Sequence, residues 1–76
     1  MFEQYEISSG NSDSWVRVFV NNRLYHISFP EDGLNYYSMW IKNNEWESIM
    51  EVATYEEICK YLDKKNGKKK VVKRFL

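Results

Sequence analysis

Two Asn-Asn pairs constrain the fold of this chain more than any other feature, because each one separates two runs of strand-forming residues. Asn adopts a positive φ more readily than most residues, and a two-residue hairpin turn requires that conformation. Asn21-Asn22 and Asn43-Asn44 therefore predict two antiparallel β-hairpins in succession. The four predicted strands are residues 14–20, 23–29, 36–42 and 45–52.

A two-residue turn also fixes which residues face each other across a hairpin. In the first hairpin it places Val18 opposite Tyr25 on an apolar face, and Arg17 opposite His26 on the reverse face. The apolar face is the one that we expect to join the core.

The same rule predicts six cross-strand pairs in the second hairpin, three on the core side and three on the reverse. The core-side pairs are Ile41 with Trp46, Met39 with Ser48 and Tyr37 with Met50; the reverse pairs are Lys42 with Glu45, Trp40 with Glu47 and Tyr36 with Glu51. Residues 45–53 also fit a helical face capped by Asn44. A strand is favoured because the Asn-Asn turn and the Lys42–Glu45 charge match explain more residues.

A capping box predicts one helix after the hairpins. Thr54 is the cap and Glu57 follows three residues later. The helix should run from about residue 55 to 65 and end at Asn66-Gly67. Its apolar stripe is Tyr55, Ile58, Cys59 and Leu62. Apolar residues in the segment 71–76 predict a short closing strand.

These elements predict an α+β fold in a single domain spanning residues 1–76. The fold is an antiparallel meander of four to five strands, with one covering helix near the C-terminus and a short closing strand. A helix of about 11 residues covers only one face of a sheet. The other face must therefore be exposed, covered by the N-terminal residues or buried in a partner.

That other face carries aromatic side chains near an arginine, which is the composition of a protein interface core. The predicted partner-binding residues are Trp15, Arg17, Phe19, Tyr36 and Trp40. A second, smaller core is the alternative, with Phe2, Tyr5 and Ile7 covering these side chains. The sequence gives the two alternatives about equal weight.

Charge is sorted along the chain, although the net charge is zero. Residues 1–57 hold ten acidic and three basic residues, whereas residues 58–76 hold eight basic and one acidic residue. The basic segment can neutralise phosphates, so nucleic acid is an alternative partner. Its candidate phosphate-binding residues are Lys64, Lys65, Lys68, Lys69, Lys70, Lys73 and Arg74. Solvation of a helix end and a surface strand explains the same residues more simply.

Glu45, Glu47 and Glu51 form an acidic ladder if residues 45–52 are a regular strand, with about 6.6 Å between alternate residues. Such a row can imitate a nucleic-acid backbone and occupy a basic groove on another protein. Solubility of an edge strand is the simpler interpretation. These acids would also repel phosphate from the aromatic face, which weakens the nucleic-acid alternative.

The chain has one His and one Cys, and it lacks a Gly-rich phosphate loop, a Gly-x-Ser-x-Gly elbow and a His-Glu-x-x-His motif. His26 has no nominated nucleophile, and Cys59 lies on the apolar stripe of the helix. We expect no catalytic residue, no metal site and no cofactor. Without a secretory signal or a run of about 18 apolar residues, a cytoplasmic protein with no membrane partner is expected.

The sequence thus predicts a small non-enzymatic protein-binding module that occupies a surface of a larger partner. Self-association through the same face is a second option. Such a role would suit an accessory or inhibitor protein of a phage or mobile element. The small size of the chain is the only basis for this association.

Overall fold

A computed structural model describes residues 1–31 and 33–66 of the chain. Five strands and one helix form in this part; they are β1 (Glu6–Ile7), β2 (Trp15–Val20), β3 (Arg23–Ser28), β4 (Tyr37–Asn43), β5 (Glu45–Ala53) and α1 (Tyr55–Asn66). The strands form one sheet in the order β1-β2-β3-β4-β5, with antiparallel neighbours. The predicted α+β meander is confirmed, and β1 supplies the fifth strand ahead of the hairpins. The closing strand predicted after the helix lies outside the described residues.

The first hairpin forms as predicted. Asn21 and Asn22 both have positive φ, 54° and 66°, as a two-residue turn of type I′ requires. Val18 therefore faces Tyr25, and Arg17 faces His26.

The second hairpin has a different register, and the predicted pairs are wrong. Only Asn44 has a positive φ, 70°, so Asn43 remains in β4 and pairs with Glu45. Lys42 consequently faces Trp46, not Glu45, and the other pairs shift with it. Because side chains alternate along a strand, a slip of one residue moves each of them to the opposite face.

Two irregularities in the β4–β5 ladder restore an apolar match farther from the turn. They lie on either side of Met39, which pairs with Met50 and not with Ser48. Tyr37 pairs with Ala53 and not with Met50. Each extra residue in β5 shifts its alternation, as a β-bulge does. Buried Met39 thereby faces a methionine in place of the serine that the ideal register assigned to it.

The helix packs on one face of the sheet and its start is capped as predicted. The Glu57 amide donates to Thr54 Oγ1 at 3.0 Å, and the Thr54 amide donates to Glu57 Oε1 at 2.8 Å. Ile58 and Leu62 are fully buried against the sheet. Residues 45–53 are a strand, so the helical alternative for that segment is wrong.

The N-terminal residues join the core on the helix side. Phe2 is fully buried, and its ring lies 4.8 Å from that of Tyr55 on the helix. The Tyr5 hydroxyl donates to Asp63 Oδ1 at 2.8 Å, also on the helix. Ile7 pairs with Val18, whose side chain points into the core. These side chains therefore do not cover the opposite face of the sheet.

Candidate docking surface

Five half-buried side chains converge on the face of the sheet opposite the helix. We call this surface the indole face; its residues are Trp15, Arg17, His26, Trp40 and Trp46. Four strands supply them: β2 gives two, and β3, β4 and β5 give one each. All three tryptophans of the chain are on this surface.

The register places these side chains together. Arg17 pairs directly with His26, and His26 pairs directly with Trp40 on the next strand. Trp46 pairs with Lys42, two residues along β4 from Trp40, and therefore shares its face. Trp46 reaches the indole face only because of the register slip at the second turn.

Arg17 is the centre of the cluster. Its Cζ atom lies 4.9 Å from the ring centroid of Trp15 and 4.9 Å from that of Trp46. A guanidinium over an indole ring contributes about 0.5–1 kcal/mol at an exposed site and about 2 kcal/mol when desolvated. The two rings therefore hold the arginine side chain in one position.

His26 contacts both Arg17 and the three tryptophans. Its Nδ1 accepts a hydrogen bond from Arg17 Nε at 3.1 Å, so the ring proton of neutral His26 is on Nε2. The imidazole stacks on Trp15 at 5.0 Å and meets Trp40 and Trp46 edgewise, at 5.7 Å each. Burial lowers the pKa of His26 below its ordinary value of 6.5, and the Arg17 charge lowers it further.

This hydrogen bonding leaves His26 unsuited to general-base catalysis. Ser28 Oγ is 3.4 Å from Nε2, the spacing of a loose Ser–His pair. A base in that position must accept the hydroxyl proton on Nε2, but Arg17 occupies Nδ1 and keeps the proton on Nε2. In the described ranges, His, Cys, Asp and Glu side chains form no group of three or more that could hold a metal ion.

The centre of the indole face is cationic, whereas Glu6, which pairs with Phe19, brings an acid to its β1 edge. Lys42 Nζ lies 5.5 Å from the centroid of the Trp46 ring, which Arg17 also contacts. Within residues 1–31 and 33–66, the ion pair present is between the Met1 amino group and Glu3, so Arg17 has no carboxylate partner there. Two positive charges thus stand among three indoles.

The predicted acidic rim of this face is wrong for Glu45 and Glu47. Glu47 faces Ile41, which pairs with buried Tyr25 on the helix side of the sheet, and Glu45 faces Asn43 on that same side. The bulges then interrupt the alternation between Glu47 and Glu51. The three acids therefore form no regular ladder, and the repulsion expected between Glu47 and phosphate at the aromatic face does not arise.

The remaining predicted site residues lie at the margin of the indole face or away from it. Phe19 follows Arg17 by two residues on β2 and is 38% exposed. Tyr36 is 37% exposed, precedes β4, and makes no ring contact within the described ranges. Lys64 and Lys65 lie in the last turn of α1, and Lys65 Nζ is 5.1 Å from the Tyr61 ring. The other predicted basic residues, Lys68, Lys69, Lys70, Lys73 and Arg74, are outside the described part of the chain.

Sequence reasoning assigned Trp46 to the core and gave His26 no role in the surface. The assignment of Trp46 followed from the assumption of a two-residue second turn, whereas His26 was placed correctly opposite Arg17 but was not counted among the binding residues. The pairing of Lys42 with Trp46, a cation beside an indole, was the available signal for the correct register.

For the ranges that the structure describes, the helix is too short and too polar to cross a membrane. Comparisons with protein-family models, with curated proteins and with solved structures find no match to this chain.

Proposed function

We propose that this chain is a non-enzymatic cytoplasmic binding module that docks on a larger protein through the indole face. One observation carries the proposal: Arg17 is held at 4.9 Å from two indole rings and has no carboxylate partner among the described residues. Tryptophan and arginine are the residues most enriched at the energetic centres of protein interfaces. Their prior ordering also reduces the side-chain entropy lost on binding.

Charge favours a different protein over a second copy as the partner. In a two-fold dimer the same patch contacts itself. Arg17 and Lys42 of one copy would then approach those of the other copy, and like charges at close range are unfavourable. A partner of opposite charge meets no such cost.

Nucleic acid is the second candidate, because Glu45 and Glu47 lie on the other side of the sheet. Single-stranded nucleic acid binds by stacking bases on aromatic rings. Arg17 already lies over the rings of Trp15 and Trp46, and Lys42 lies over the ring of Trp46 as well. These contacts reduce the ring surface that is left for stacking bases. The zero net charge also provides no long-range attraction for a polyanion.

The double variant Trp15→Thr/Trp40→Thr tests the docking surface, since threonine retains strand propensity. The matched control is Val52→Thr, which removes a 72% exposed apolar side chain that lines the groove between β5 and α1. Proteins captured from the native host by the unaltered chain are identified and purified, and their affinity for all three forms is measured by calorimetry. Circular dichroism confirms that each form is folded.

The expected result is a loss of at least about thirtyfold in affinity for the double variant, the effect of removing a side chain worth 2 kcal/mol or more at an interface. The control should bind like the unaltered chain. Equal affinity for all three folded forms contradicts the proposal. Binding to oligothymidylate that weakens steeply with salt would favour the nucleic-acid candidate.

A further inference from the structure

The Arg17 guanidinium has donors that no described residue uses. Nε donates to His26, while the terminal Nη groups have no acceptor within residues 1–31 and 33–66. The side chain is half-buried, so water reaches only part of it. Charged groups removed from water are ordinarily paired, and this one has only two rings and a neutral imidazole around it.

Arginine presents its N–H groups as a planar fork that matches the two oxygens of a carboxylate. At the indole face the position of that fork is fixed by the Nε–Nδ1 hydrogen bond and the two rings. The unused Nη groups are therefore ordered before any ligand arrives, which lowers the entropic cost of engaging them.

We propose that the indole face recognises a carboxylate of an acidic protein segment, bound to the Nη groups of Arg17. This inference rests on the proposed function and specifies its ligand. Lys42, on the same face, adds a second positive charge for a neighbouring acid. A phosphodiester also fits an arginine fork, but it would bring bases, and Arg17 and Lys42 already occupy stacking surface on Trp15 and Trp46.

The chain provides two intrinsic reporters for this site. All three tryptophans belong to the indole face, so tryptophan fluorescence reports on this surface alone. His26 is the only histidine and contacts Arg17 directly, so its imidazole NMR signal is unambiguous. The groups that face it are Arg17 and Trp15 on β2, Ser28 on its own strand, Trp40 on β4 and Trp46 on β5.

The experiment titrates the full chain with poly(Glu,Tyr), an acidic aromatic copolymer, and separately with poly(Lys,Tyr) and oligothymidylate. Three variants are compared: Arg17→Gln removes the charge and most of the fork, Arg17→Lys keeps the charge without the fork, and Arg23→Gln is the matched control. Arg23 is an exposed arginine that pairs with Val20, on the core side of the sheet. The His26 signal is followed through a pH titration with and without the polymer.

We expect poly(Glu,Tyr) to change tryptophan fluorescence and shift the His26 signal, and poly(Lys,Tyr) to do neither. Arg17→Gln should weaken binding at least about tenfold and Arg17→Lys several-fold, because hydrogen bonds to charged groups depend on the fork geometry. Arg23→Gln should weaken it less than about twofold. A bound carboxylate should also raise the titration midpoint of His26, because it offsets the Arg17 charge.

Equal losses for Arg17→Gln and Arg23→Gln overturn the inference, since binding would then follow overall charge. Binding of oligothymidylate without poly(Glu,Tyr) overturns it in favour of nucleic acid. If no probe binds, the carboxylate assignment is overturned, whereas the proposed function is judged separately by the affinity of the purified partner for the tryptophan variants. If the purified partner binds Trp15→Thr/Trp40→Thr more weakly but binds Arg17→Gln as tightly as the unaltered chain, the carboxylate assignment is overturned and the proposed function is not.

Discussion

Replacement of Arg17 by methionine tests whether the indole face is a cluster organised around a cation. Methionine retains an unbranched apolar side chain but removes two cation–π contacts, each 4.9 Å from a ring centroid, and the hydrogen bond to His26 at 3.1 Å. Half-exposed cation–π contacts contribute about 0.5–1 kcal/mol each, and a hydrogen bond contributes about 0.5–1.5 kcal/mol net.

These contributions predict a loss of about 2 kcal/mol in the free energy of unfolding for Arg17→Met. For a domain of this size, such a loss lowers Tm by roughly 8–16 °C. The assay is urea unfolding followed by tryptophan fluorescence, with thermal unfolding by circular dichroism alongside. Arg23→Met is the control and should change stability by less than about 0.5 kcal/mol, as surface substitutions usually do.

The reasoning is refuted if Arg17→Met and Arg23→Met have equal stability within error. It is also refuted if the fluorescence spectrum of the folded Arg17→Met protein is unchanged. In either case the guanidinium would not be in contact with Trp15 and Trp46, and a different ligand-binding centre would have to be sought.

Three further predictions concern the elements around the indole face. The folded-state pKa of His26 is lowered, so between about pH 6.5 and that lowered pKa the unfolded chain binds more protons than the folded chain. The free energy of unfolding should therefore decrease as the pH is lowered through this window, and it should decrease less in His26→Gln. Urea unfolding at several pH values measures both. Asn44→Ala should cost about 1 kcal/mol and Asn44→Gly little, because a φ of 70° suits glycine; equal unfolding midpoints would refute the turn geometry. Phe2→Ala should cost about 3–5 kcal/mol because the ring is fully buried, and a loss below about 1 kcal/mol in chemical unfolding would place Phe2 outside the core.

The first hairpin and the helix could be predicted because local signals decide them. Both residues of the Asn21-Asn22 turn adopt a positive φ, which is what the register argument assumed. The Thr54–Glu57 capping box depends on residues three apart and forms both of its hydrogen bonds. In these elements the local chemistry agrees with the packing.

The second hairpin could not be predicted by the same rule, because its turn sequence permits more than one loop. Asn43-Asn44 allows a two-residue turn with both residues left-handed, or the observed connection, in which only Asn44 is left-handed and Asn43 pairs with Glu45. The observed register gains a cation–π contact for Trp46 and pairs Met39 with Met50 through bulges. These gains depend on tertiary contacts, which the pattern of a single strand does not contain.

The position of the N-terminal residues was also beyond local reasoning. Phe2 and Tyr5 are aromatic and suit either face of the sheet equally well by composition. Their placement is decided by contacts with the helix, such as the hydrogen bond from Tyr5 to Asp63, which is 58 residues away in sequence. Because Phe2 and Tyr5 pack on the helix side of the sheet, they do not cover the indole face.

The most direct test of the docking surface is an NMR titration of the labelled chain with the purified partner, following the indole N–H signals of the three tryptophans and the imidazole of His26. The account predicts that these signals shift on binding, while the amides of Tyr55–Asn66 on the opposite side of the sheet do not. Shifts confined to the helix or to the basic residues that follow it, with the indole signals unmoved, would contradict it.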